Sequence, residues 1–301
     1  MMEIPFKKPE LDDREAIQRH LAARKLRGCE RTFANIYLWA RFYNVVWAEI
    51  EGTAVFRSEF DGKYSYTYPV GEGSRKAAIR VLLEDCEEKG YPFRLHGVSR
   101  EELEELEQYF PEKFQVEWQR DAEDYVYETE KLIRLSGKKY HGKKNHINQF
   151  KAACPDWSYE PITDENVEEC FQMALHWRTD NGCNDDPEKN SEMCVALNSL
   201  RLFKELGLRG GLLRADKEVA AFTLGEPVCD DTFVVHIEKA YADIRGAYPM
   251  INQQFLEHEA AEYTYVNRED DTGDEGLRQA KLSYHPVFMV EKGIVTLKGD
   301  L

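Results

Sequence analysis

This sequence predicts a mixed α/β chain in two tandem domains, and three observations predict it. Apolar runs with period-two alternation recur along the chain, separated by helical segments that carry capping residues. The length of 301 residues exceeds one ordinary domain. The second half follows a long strand–helix order, of which the first third shows a shorter version. The expected boundaries are 1–127 for an N-terminal domain, 128–152 for a basic connecting helix and 153–301 for a C-terminal domain. A hydrophobic content of 42%, rich in Tyr and Phe, is enough to build packed cores.

The elements follow in order. Leu11 to Lys25 has a charged helical pattern and leads into the aromatic-rich FANIYLWARFYNVVWAEI. AVFRSEF and KYSYTYPV alternate on either side of Asp61-Gly62, a hairpin signal. Ser74 to Lys89 is an amphipathic helix with a serine at its start and Gly90 at its end. PFRLHGV is a strand, Ser99 with Glu102 forms a capping box opening a helix through Tyr109, and KFQVEW is the next strand. Asp124 to Tyr127 is strand-like. Glu128 to Lys151 has helical spacing, expected to break at Gly137 and Gly142, with Leu132, Leu135, Tyr140, Ile147 and Phe150 as its buried side.

WSYEPIT is then a strand, and Asp164–Thr179 and Glu192–Leu206 are helices. Three strands, GGLLRA, EVAAFTLGEPV and DTFVVHIEKA, meet in turns, the last around Cys229, Asp230 and Asp231. Pro249–Glu262 is a helix, YTYVN a short strand, Thr272–Leu282 a helix with a Thr272/Glu275 capping box, and PVFMVE the last strand. This order is that of the Gcn5-related N-acetyltransferase fold, and the first third reads as a degenerate copy of it.

Charge narrows the function. A formal charge of −16 repels phosphate backbones and excludes general DNA binding. Yet Lys131 to Lys151 contains seven basic residues and no carboxylate. Such an island suits one phosphate-bearing small ligand, and a cleft between domains is a favoured place for it. Seven scattered cysteines without a C-x-x-C pair, no apolar leader in MMEIPFKKPELDDRE and no run of about 20 apolar residues point to a reduced cytoplasmic protein without a membrane span.

Four constellations carry candidate chemistry. In the island, His141, Asn145 and Asn148 share a helical face, flanked by Lys143, Lys144 and His146, a set suited to a phosphate or carboxylate. In VVHIEKA, alternation places His236 and Glu238 on one strand face as a general base pair, with Lys239 beside them; the competing reading is a core histidine. In NREDDTGDEGLRQAKLSYHP, Asn267, Arg268, Glu269 and Asp270 enter a loop, and Arg278 and Lys281 share a helix face that can grip a phosphate. Around Arg245-Gly246-Ala247, the spacing departs from the pyrophosphate loop of acetyltransferases and Pro249 lacks an amide proton, which disfavours coenzyme A. No Walker loop, G-x-S-x-G or H-E-x-x-H is present, and no metal site is expected.

Together KLIRLSGKKYHGKKNHINQF, VVHIEKA, INQQF and NREDDTGDEGLRQAKLSYHP resemble a bacterial family of uncharacterised proteins similar to the C-terminal domain of phosphatidylglycerol lysyltransferase. The resemblance runs from about Asp124 to the C-terminus. It implies a tandem acetyltransferase-like fold related to the Fem-type aminoacyltransferases. It also adds Asn252 of INQQF and Tyr284 to the candidate substrate-binding residues. Gly276-Leu277-Arg278, Lys281, Tyr284 and Pro286 resemble the lysyltransferase ending, with Ser283 where a second lysine is usual.

The expected function is acyl or aminoacyl transfer, with His236 or Glu238 as base. The donor is an aminoacyl-tRNA, docked by its acceptor end, or an acyl-coenzyme A. The acceptor is an amine or hydroxyl, as on a lipid headgroup or a cell-wall precursor. The alternatives are a non-catalytic binder of a phosphorylated ligand and an acetyl-coenzyme A-dependent N-acetyltransferase. Lys144, Arg278 and Lys281 are expected to converge on one anion.

Overall fold

The computed structural model describes residues 3–60 and 62–299, so Asp61 of the expected hairpin turn and the first two residues of the leader reading lie outside the described residues. The chain forms two compact units. Unit 1 holds the segment ending at Asp124, Asp270–Arg278 and the segment from Met289; unit 2 holds Tyr125–Glu269 and Gln279–Phe288. The units are interleaved in sequence, unlike the three consecutive blocks expected.

Unit 1 begins with helices α1 (Arg14–Leu21) and α2 (Phe33–Trp39), then strands β1 (Val46–Ile50), β2 (Thr53–Phe60) and β3 (Lys63–Thr67). Helix α3 (Arg75–Lys89) starts where the Ser74 hydroxyl accepts the Ala77 amide and ends at Gly90, whose φ of 70° is open to glycine at no steric cost. After β4 (Arg94–Val98), the Ser99/Glu102 capping box opens α4 (Arg100–Tyr109), and β5 (Phe114–Trp118) follows. Tyr66, Tyr68, Ile79, Leu82, Phe93, Leu95 and Leu106 fill the core between α3, α4 and the sheet.

Strand β6 (Asp124–Glu128) leads into α5 (Thr129–Arg134) and α6 (His141–Ala153). The helical path breaks at Leu135 and Gly137, both at positive φ, whereas Gly142 sits inside α6 and does not interrupt it. Leu132, Leu135, Tyr140, Ile147 and Phe150 are buried as their spacing predicts. Next come β7 (Ser158–Pro161), α7 (Val167–Asp180), α8 (Pro187–Arg201) and α9 (Phe203–Leu206). Asp186 caps α8 ahead of a proline in the first turn, so the helix starts earlier than the apolar pattern suggested. The long strands β8 (Arg209–Ala215), β9 (Glu218–Cys229) and β10 (Thr232–Ala240) precede α10 (Ala247–Glu259), β11 (Tyr265–Asn267) and α11 (Glu275–Leu282). Helix α11 is capped by Asp274, whose Oδ1 accepts the Leu277 amide, and not by Thr272. The chain finishes with β12 (Phe288–Val290) and β13 (Gly293–Leu297).

Both sheets are mixed. One runs β1-β2-β3-β4-β13-β5, the other β12-β6-β11-β10-β9-β8-β7. The last strand of the chain thus fills the slot between β4 and β5 in the first sheet, antiparallel to both. Strand β6, next after β5 in the chain, pairs instead with β11. This is a tandem acetyltransferase-like α/β architecture in which the first sheet takes β13 from the far end of the chain, while the second is built from the consecutive strands β6 to β12.

Candidate functional site

The site in unit 2 begins where two parallel strands stop pairing. Strands β10 and β11 are in register at Thr232–Tyr265, Phe233–Val266 and Val234–Asn267, and no further. Beyond that point β10 runs on through His236 and Glu238, while the chain after β11 supplies Arg268 and Glu269. The antiparallel register with β9 also shifts here: Val235 faces Gly225 and Ile237 faces Leu224, leaving His236 as an extra residue. Such a bulge disturbs the local alternation of side chains, and His236 and Glu238 do not bond to each other. Each joins its own network.

His236 is clamped. Its Nδ1 lies 2.7 Å from Glu269 Oε1 and its Nε2 3.1 Å from Glu226 Oε1. Burial pulls the imidazole pKa down, but the hydrogen bonds and charges of the two glutamates hold it at about 10. A ring protonated at neutral pH, with both nitrogens engaged, cannot accept a further proton, so its geometry is that of a structural cation. Asn267, fully buried, fixes the other end by accepting the Glu269 amide on Oδ1 at 2.7 Å, and Glu269 itself adopts a φ of 59°. Glu226 was not singled out from the sequence, although a carboxylate interrupting the apolar run of β9 is its signal.

Glu238 belongs to a different chain of contacts. Its Oε2 accepts from Asn252 Nδ2 of α10 at 2.9 Å, and its Oε1 from Arg268 at 2.9 Å. Arg268 lies with its guanidinium carbon 4.8 Å from the Tyr284 ring centroid, and Lys143 Nζ lies 3.9 Å from the centroid of that ring. Tyr284 is buried, which pushes its hydroxyl up to about 12 against the pull of Arg268. Desolvation, then the nearby Arg268, lower the Lys143 amine to about 8, with Glu238 opposing.

Lys143 and His146 of α6 also line a cleft of about 230 Å³ with Tyr241, Arg245, Tyr248 and Pro249 at the start of α10. Close packing makes that wall. Gly246 has a φ of 88°, and a Cβ there would meet the His146 carbonyl oxygen at 2.2 Å. Glycine is what lets α10 and α6 approach.

Other candidates have partners elsewhere. Lys144, Asn145 and Asn148 are exposed on α6. Lys239 is buried, with Nζ 2.5 Å from Glu192 and 4.2 Å from the Trp177 ring centroid, so it is an internal ion pair and not an anion ligand. Lys281 Nζ donates to the Arg268 carbonyl at 2.7 Å and steadies that loop. Arg278 is ion-paired with Asp121 and with the buried Asp271 in unit 1. Lys144, Arg278 and Lys281 therefore do not build the expected shared anion pocket: an α-helical spacing says which residues share a face, not which acids already face them.

Asp270 acts on Lys292 in a second buried cluster in unit 1 that the sequence did not reveal. Lys292 Nζ is 2.7 Å from Asp124 Oδ1, 2.9 Å from Glu30 Oε2 and 3.5 Å from Cys29 Sγ. Cys29, Glu30 and Asp124 lie close enough together to ligate a cation, and the lysine ammonium takes that role. Cys229, Asp230 and Asp231 form a similar group in the β9–β10 turn.

Among the described residues, no helix is long and apolar enough to cross a membrane. A conserved protein of unknown function from Bacteroides thetaiotaomicron shares 38% identity with this chain, covering 98% of it and 100% of that chain, with a TM-score of 0.93. L-PGS from Bacillus licheniformis has the same fold, with 15% identity, 99% and 95% coverage and a TM-score of 0.68. An uncharacterised protein of Mycoplasmoides gallisepticum is 25% identical over 175 residues, 57% of this chain and 55% of its own length. The chain thus spans about half the length of that curated relative. The family model described as "Phosphatidylglycerol lysyltransferase, C-terminal" matches residues 22–295, and the chain belongs to that family.

Proposed function

We propose that unit 2 carries an acyl- or aminoacyl-transferase centre in which Glu238 is the proton acceptor. The observation that carries this reading is the carboxylate of Glu238, oriented by Asn252 and Arg268 at the point where β10 outruns β11, and linked through Tyr284 to the cleft holding Lys143. Transfer from an activated ester needs an aligned acceptor, a base and positive charge near the carbonyl oxygen. Glu238 takes the proton of an acceptor amine or hydroxyl as it attacks. Arg268 holds the carboxylate in place, and Lys143 and Arg245 make the cleft wall positive toward an anionic donor or acceptor.

The family name supports a phosphatidylglycerol headgroup as acceptor and an aminoacyl group as the one transferred, and an aminoacyl-tRNA is a donor of matching chemistry. A cell-wall precursor is the other acceptor of matching chemistry. Pro249, third residue of α10, offers no amide to a pyrophosphate, which disfavours acyl-coenzyme A. His236, held between two glutamates, serves the shape of the centre and not the proton transfer.

The test is transfer of a labelled aminoacyl group from charged tRNA to vesicles containing phosphatidylglycerol. Glu238→Gln keeps the size and one hydrogen-bonding oxygen, so it should lower kcat by about 10²-fold or more while the fold is retained. A folded Glu238→Gln variant that transfers at the wild-type rate would sink this reading.

A further inference from the structure

Lys143 serves that chemistry only as part of the cleft wall, and its surroundings differ from those of the ion-paired lysines in its unit. Lys131, Lys189, Lys204 and Lys239 each sit against a carboxylate, from Glu128, Asp186, Asp164 and Glu192. Among the described residues, no carboxylate forms an ion pair with Lys143. Its Nζ rests instead on the face of the buried Tyr284 ring, 3.9 Å from the centroid, with the guanidinium of Arg268 against the same ring. The side chain is half-buried and lines an open cleft. The charged groups acting on it are Arg268, which disfavours the ammonium, and Glu238, which favours it. His146, Arg245, Tyr241 and Tyr248 are the titratable groups along the cleft.

We infer that Lys143 is a reactive amine that accepts acyl groups from activated esters or thioesters entering the cleft, and is a covalent modification site of this chain. The lone pair of the neutral Nζ attacks the acyl carbonyl carbon. A C–N bond forms, the C–O or C–S bond to the leaving group breaks, and the proton shed by Nζ leaves with the alcohol or thiol. No oxidant or reductant is involved. The product amide is uncharged, does not return its acyl group and occupies the cleft, so an excess of activated donor shuts the site. A nucleophilic lysine of this kind needs partial desolvation and a neighbouring cation, and both are present here.

The inference rests on the proposed transferase reading only for the nature of the natural donor. Its test needs neither that donor nor an acceptor. The full chain is incubated with limiting p-nitrophenyl acetate at about pH 7.5, and acetylation of each lysine is followed by peptide mass mapping. Lys143 should acetylate at least about tenfold faster than Lys144, its exposed neighbour on the same helix, because each unit of lowered pKa raises the neutral fraction tenfold. Labelling of Lys143 at or below the rate of Lys144 overturns the inference. In a folded Arg268→Gln variant, which lacks the cation, the ratio should narrow, and an unchanged ratio counts against it. Loss of transfer in Glu238→Gln, or its absence, bears on the transferase reading alone.

Discussion

Lys292 and His96 of unit 1 and Lys143 and His236 of unit 2 are all at least partly withdrawn from water, and the two pairs are driven in opposite directions. In unit 1 the buried Lys292 has its pKa raised well above the ordinary value: burial pulls it down, but Asp124, Cys29 and Glu30 outweigh that. Beside it His96, bonded through Nδ1 to Ser65 Oγ at 2.9 Å, falls to about 4 through burial and the surrounding Arg31, Arg94 and Lys292. In unit 2 the pattern reverses. Lys143, on an aromatic face next to Arg268, falls to about 8, while His236 between two glutamates rises to about 10. Desolvation acts on all four in the same sense. The neighbours decide the sign.

The difference separates structure from chemistry. A lysine surrounded by carboxylates is a fixed ammonium, holding Asp124 and Glu30 together as a metal ion would. A lysine beside a cation and a ring, held at about 8, keeps a far larger neutral fraction near physiological pH than an ordinary lysine and is available to react.

The largest expected effect breaks the unit 1 half of this contrast. Lys292→Met takes the ammonium away from the fully buried Asp124, and removing one partner of such a buried pair costs about 3–5 kcal/mol. Denaturant unfolding of the variant measures it. A loss under about 1 kcal/mol would show that the ammonium is not what holds the acids, and the contrast with Lys143 would lose its meaning.

A smaller effect tests the wall beside Lys143. Gly246→Ala puts a Cβ against the His146 carbonyl oxygen at a left-handed backbone position, a strain of about 1–3 kcal/mol. The expected readout is lower stability together with slower acetylation of Lys143, since α6 must shift away from α10. Unaltered stability would show that this close approach does not constrain the cleft.

The histidines give the gentlest effects, no more than about 1.4 kcal/mol per pH unit for a single proton. His236 is held at about 10 in the fold and titrates near 6.5 when unfolded, so its stabilisation is complete below about pH 6.5 and is lost as pH rises toward 10. His96 works in the other sense. Held at about 4, it stays neutral while the unfolded chain takes up a proton, so stability falls as pH drops from about 6.5 to 4. His236→Gln should flatten the alkaline limb of a stability–pH curve, and His96→Asn the acid limb. If the two substitutions altered the same limb, the opposition between the units would fail.

Local elements were legible because their causes are local. Ser74, Gly90 and the Ser99/Glu102 box mark helix ends through backbone groups that need partners within a few residues. The buried side of 128–151 followed from helical spacing, and all five residues named for it are inside. The order of strands and helices in the second half was enough to name the fold. At the site, Glu238, Arg268, Asn252, Tyr284 and Lys143 were all among the candidates, and they join into one network.

What the sequence determined by itself was element type, helix caps, buried faces, the cationic island and the family these motifs belong to. What only the tertiary structure decided was pairing at long range: that β13 fills the first sheet, that His236 meets Glu226 and Glu269 while Glu238 meets Asn252 and Arg268, that Arg278 already faces Asp121 and Asp271, and that Lys292 closes on Asp124. The physical reason is that a charged side chain's role depends on which opposite charge, ring or carbonyl meets it across the fold. Spacing along the chain carries no record of that neighbour until distant strands come together.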